Sequence, residues 1–176
     1  MNMKHIAVAT LALSTAVIAA NSHAAEATAT STATVIAPIA ITAPVNLVFG
    51  SFAPGAGGSV TVSTSGARTA TGAILSTVGN APSAAKFDVT GDGSSTYSIA
   101  IAPSANLSDG STTPNTMALA TFSDLTGGGA TSGNVTSGTL ASGAQSIYVG
   151  GTLTVSSTQA ASTAYAGTVA VTVEYN

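Results

Sequence analysis

The chain is 176 residues long, with three basic against six acidic side chains, no cysteine and no tryptophan. So few cations exclude nucleic acid as a partner, because phosphate binding needs clustered Lys and Arg. Without cysteine there is no thiolate, either as nucleophile or as metal ligand, and no disulfide, and a chain rich in Ala, Thr, Ser and Gly presents hydroxyls rather than ion pairs to solvent.

Residues 1–24 have the order of a secretory leader: Met1-Asn2-Met3-Lys4-His5, an apolar run from Ile6 to Ala20, then Asn21-Ser22-His23-Ala24, with cleavage expected after Ala24. The run, about fifteen residues, is shorter than the roughly 20 that span a bilayer, and no later run approaches it. Export to the periplasm, then to the cell surface or beyond, is therefore expected, with no integral membrane segment after cleavage. Cleavage also removes both histidines, His5 and His23, and with them any imidazole base. The processed chain is accordingly expected to be non-catalytic and to hold no cofactor and no metal.

Residues 25–37 form an N-terminal extension and 38–176 a single domain. Glu26-Ala27-Thr28-Ala29-Thr30-Ser31-Thr32-Ala33-Thr34 alternates small residues with threonine, a strand pattern too poor in apolar area to anchor itself. Added to another molecule's sheet edge, it would be held by a backbone ladder, with Ala27, Ala29, Ser31 and Ala33 as the candidate donor residues. Pro38 lacks a backbone donor, so the donor strand should end before it.

Beyond the extension no apolar spacing of three and four persists, whereas period-two alternation recurs throughout. Strands are expected at Thr34–Ile41, Val45–Phe52, Ser59–Ser63, Ala84–Thr90, Tyr97–Ala102, Met117–Phe122, Gln145–Val155 and Gly167–Tyr175, in an all-β antiparallel sandwich. Asp92-Gly93 reads as a hairpin turn between two of them rather than as part of a calcium loop. Gly55-Ala56-Gly57-Gly58 and Gly127-Gly128-Gly129 precede no helix and are read as flexible turns, not phosphate cradles. The stretch from Gly127 to Gly143, with Val135 and Leu140 its only larger residues, is expected to be a mobile loop or an irregular edge. Arg68 and Lys86 are read as solvent-facing or paired with one acid, and Tyr97 and Tyr148 as packing anchors.

The last expected strand places Val169, Val171, Val173 and Tyr175 on one face and Thr168, Ala170, Thr172 and Glu174 on the other, so one face must be buried.

Val35-Ile36-Ala37-Pro38-Ile39-Ala40-Ile41 and Leu47-Val48-Phe49-Gly50, then Gly66-Ala67-Arg68, Phe87-Asp88-Val89-Thr90-Gly91, Tyr97-Ser98-Ile99, Ile147 to Val155 and Tyr165-Ala166-Gly167-Thr168-Val169, in that order and spacing, resemble the secreted bacterial family catalogued as domain of unknown function 4402. That resemblance implies no particular activity. Through the leader, the alternating extension and a C-terminal strand with penultimate Tyr175, the chain also looks like chaperone-usher and common-pilus-type pilins. Their resemblance implies an incomplete immunoglobulin-like sandwich. In it, Val169, Val171, Val173 and Tyr175 line the edge held by a periplasmic chaperone, and after passage through an outer-membrane usher the groove takes the next subunit's extension. The chain departs from pilins in lacking a disulfide, in Pro38, and in a glycine, Gly167, unusually close to the terminus.

Three functions are weighed on these residues. A structural subunit joined by donor strands to other copies of itself or to related subunits uses both terminal segments. A monomeric adhesin or binding module would recognise a carbohydrate or surface molecule through its loops, but Thr126 to Gly143 holds no aromatic platform. A hydrolase would need paired carboxylates such as Asp88 with Asp92 or Asp109 with Asp124, for which no cleft is indicated.

Overall fold

The computed structural model describes residues 24–103, 106–162 and 165–176. The leader expected over residues 1–24 lies outside these, apart from Ala24. The chain divides between Thr34 and Val35 into two units. Residues 24–34 of the first carry no strand or helix, and each is exposed.

The second unit is all-β, as the alternation requires. Its strands are β1 (Ala40–Val45), β2 (Phe52–Ala53), β3 (Gly58–Val62), β4 (Arg68–Thr71), β5 (Ile74–Leu75), β6 (Ala85–Thr90), β7 (Thr96–Ile101), β8 (Leu107–Ser108), β9 (Thr116–Met117), β10 (Leu119–Asp124), β11 (Ser137–Thr139), β12 (Ala144–Val155) and β13 (Val171–Tyr175). All the ladders between them are antiparallel. The major sheet runs β1-β6-β12-β3-β4 with β10 also on β12, and the minor sheet runs β11-β7-β13.

The axis of the major sheet is β12, twelve residues long. Its first half pairs with β6, from Ala144↔Thr90 to Val149↔Ala85, and its second half with β3, from Gly151↔Val62 to Val155↔Gly58. Strand β10 pairs across the middle, from Leu119↔Leu153 to Asp124↔Tyr148, overlapping both. A residue in a ladder has one partner on each side, so β6 and β3 must lie end to end along the edge opposite β10. Gly150 sits at their junction, and a Cβ there would run into the Phe122 ring and the Val62 carbonyl.

Alternation buries one face of each sheet between them. Ala85, Phe87 and Val89 of β6 and Ile147 and Val149 of β12 meet Tyr97 and Ile99 of β7 and Leu140 beyond β11, with Val171, Val173 and Tyr175 of β13 packed alongside. A second cluster, Phe49, Val60, Val62, Met117, Leu119, Leu153 and Val155, lies beneath the other half of the major sheet, where the minor sheet does not reach. Each fully buried Val or Leu contributes on the order of 1.5–3 kcal/mol, so both halves are needed by a chain without disulfides.

Several expectations change. Asp92-Gly93 is not a hairpin: β6 and β7 belong to different sheets, and residues 91–95 carry the chain from one to the other, with the Ser95 N–H bonded to the Asp92 carbonyl. A hairpin and a sheet-to-sheet turn use the same glycine chemistry, and only tertiary pairing separates them. Of the two readings of the Gly127-to-Gly143 stretch, a mobile loop or an irregular edge, the second holds, since β11 is an edge strand of the minor sheet. The stretch supplies β11 and fully buries Leu140, and Gly138 lies against the Tyr97 ring with no room for a Cβ. Instead of strands at 34–41 and 45–52, a single strand β1 straddles the gap between them, bulged between Thr42 and Val45 where Pro44 cannot donate.

Candidate functional site

The chemistry-bearing side chains are dispersed, and several are bonded to close neighbours. Lys86 pairs with Asp88 at 2.9 Å, and Asp88 also accepts from the Ser146 hydroxyl at 2.7 Å. The hydrogen bond from Ser146, then that from Lys86, holds the Asp88 carboxyl below its usual range, and Asp88 in turn raises Lys86. Asp109 is held down to about 2, by the Asn115 side-chain amide first and then by the Ser111 N–H, closing its own loop.

Burial opposes ionisation of Asp124, yet its carboxyl is lowered, because the Thr64 hydroxyl and the N–H groups of Thr126 and Gly127 bond to it. The Gly127-Gly128 amides that resemble an anion cradle are thus filled by the protein's own carboxylate. No member of either nominated acid pair lines the two cavities described below, and among the described residues no three His, Cys, Asp or Glu side chains gather.

Arg68 departs from expectation. Among the described residues it pairs with no acid but donates to three backbone carbonyls, those of Phe49 (2.8 Å), Ser51 (3.1 Å) and Ser76 (2.6 Å). It thereby fixes the segment from Phe49 to Ser51, which forms one wall of a concave part of the molecule.

That concavity consists of two adjoining cavities, about 610 and about 460 Å3, which share Leu47, Val48, Phe49, Leu107 and Tyr165. Residues 45–54, continuing from β1, form one wall, and residues 165–169, leading into β13, form the other. Phe87, Met117, Leu119 and Leu153 form the floor. Tyr165 is fixed at the rim because its hydroxyl donates to the Ala160 carbonyl (2.9 Å) and accepts from the Gln159 amide (2.8 Å). No charged residue lines either cavity.

The C-terminal residues read from the sequence start at this groove and lead away from it. Val169 lines it, and Val171, Val173 and Tyr175 continue the same half-buried face in β13. The Ala102 N–H bonds to the Ala170 carbonyl and the Asn176 N–H to the Thr96 carbonyl, so the even-numbered residues face β7. By antiparallel alternation the N–H and C=O groups of Val171 and Val173 point the other way, to an edge beside which no strand lies among the described residues. At the far end the gap is closed. The Tyr175 hydroxyl donates to the Ala37 carbonyl (2.9 Å) and accepts from the Asp92 N–H (2.6 Å), and β1 adjoins β13. Gly91 allows this approach, because a Cβ there would collide with the Tyr175 hydroxyl.

Ala27, Ala29, Ser31 and Ala33 are exposed and in no strand. Sequence reasoning missed the groove itself. Leu107 and Tyr165 were the available signals, single large apolar residues in otherwise small, polar surroundings.

The family model described as Domain of unknown function (DUF4402) matches residues 39–175, which takes in both sheets and the groove. The chain belongs to this family. No curated protein and no solved structure matches it. The family match begins just before β1 and ends at β13, leaving the alternating extension outside it.

Proposed function

We propose that the protein is a non-catalytic, exported structural subunit that assembles by strand complementation, in the manner of a pilin. A strand from another molecule would lie beside β13 and complete an open, immunoglobulin-like sandwich. The observation that carries this reading is the uncharged groove between residues 45–54 and 165–169, lined by both apolar and polar groups, next to an edge of β13 that pairs with no strand among the described residues. An edge strand with no lysine, proline or bulge offers a template for another strand. The exposed segment 24–34 has the complementary features: alternation, small side chains and no ladder of its own.

In this reading the leader directs export, a periplasmic chaperone covers the β13 edge before assembly, an outer-membrane usher passes the subunit on, and other copies or related subunits replace the chaperone at the cell surface.

Deletion of residues 25–34 tests it. Unboiled gels and native mass spectrometry of the full-length chain should show a regular ladder, or a one-to-one complex with a chaperone-sized protein, and the deletion should abolish the ladder. Undiminished assembly after deletion, or a stable monomer in every fraction, would reject the reading.

A further inference from the structure

The alternating series does not stop at Ala33. On the face that carries Ala27, Ala29, Ser31 and Ala33, the next residue is Val35, and on the other face Thr34 is followed by Ile36. Val35 is 97% exposed, and Ile36 49%. The alanines are too small to fill a groove walled by Leu47, Phe49, Leu107 and Tyr165, whereas a valine presents a branched side chain that would lose nearly all its water on entering it. From Ala27 to Ile36 there is no charge, and none in the groove, so docking would desolvate no ion.

Val35 cannot serve its own groove. Tyr175 holds the Ala37 carbonyl at the closed end of the gap, and two residues of extended chain reach about 7 Å from there. The groove begins at Val45 and Val169, beyond the length of β1, which at about 3.3 Å per residue places it more than about 15 Å away. We infer that Val35 is the anchor by which one copy of this chain occupies the groove of a second copy, seated against Leu107 and Tyr165. This rests on the strand-complementation reading and adds to it the partner and the residue. With so short a tether, the donor's body abuts the mouth of the acceptor's groove.

Because the chain has no cysteine, a designed pair reports cleanly. The full-length Val35→Cys/Leu107→Cys variant should form, on mild oxidation, a covalent ladder that survives boiling and collapses with reductant, with Leu107→Cys alone as the folding control. Val35→Asn should weaken self-association about tenfold or more while leaving the monomer's thermal midpoint unchanged. An undiminished ladder in Val35→Asn, together with no disulfide in the double variant, would overturn the anchor. If deletion of 25–34 still abolished that ladder, complementation itself would survive; if it did not, both would fall. A ladder that formed only when a different protein was added would overturn the second copy as occupant.

Discussion

Arg68 ties its own strand to the two stretches that flank the short β2–β5 ladder. It lies in β4, yet its guanidinium reaches carbonyls on either side of Gly50 and beyond β5. A planar fork with several fixed donors can hold three acceptors at once, and an ammonium cannot do so with the same geometry. Arg68→Ala is expected to lower stability by about 1.5–3 kcal/mol, the range for hydrogen bonds to a charged group. Arg68→Lys should recover only part of that despite keeping the charge. Urea denaturation of the two variants checks this, and an Arg68→Lys variant as stable as the parent would show that charge alone suffices.

Among the elements, those built on large alternating residues were legible to within a residue or so. Expected Ala84–Thr90, Tyr97–Ala102 and Gln145–Val155 correspond to β6, β7 and β12, because burial of Phe87, Tyr97, Ile147 and Leu153 demands period two. Strands β4 and β11 were not legible. Thr69-Ala70-Thr71 and Ser137-Gly138-Thr139 have little apolar area, and neighbours hold them in place. Nor was the groove, because a gap between two walls far apart in sequence leaves no local periodicity.

Glycine pairs are equally ambiguous in sequence, and Gly150 shows what one of them does. It lets β6 and β3 meet end to end on β12 while the buried Phe122 ring crosses above. Gly150→Ala should therefore cost about 1–3 kcal/mol, as overpacking does in a filled interior. The denaturation midpoint is the readout, and an unchanged one would mean that the junction yields freely.

For the molecule as a whole, the distribution of ionisable groups sets its response to pH. Asp88, Asp109 and Asp124 all have folded-state values below the ordinary carboxylate, so the stability they contribute is complete above about pH 4. It is lost as pH falls through their folded values, about 2 for Asp109. Lys86 and Tyr97 are raised from 10.5 and 10.0, so their contributions hold below those values and fade above them.

Both histidines lie at positions 5 and 23, within the expected leader, so a chain beginning at Ala25 has no imidazole to titrate between. Its thermal midpoint should be flat from about pH 5 to about pH 9 and decline outside that window. A drift of several degrees between about pH 5.5 and about pH 8.5 would contradict this. The same reasoning extends to assembly. If subunits join as proposed, through backbone hydrogen bonds and an uncharged groove, there is no ion pair for salt to screen, so the ladder should persist unchanged from low to high ionic strength, whereas a charge-steered complex would weaken steeply.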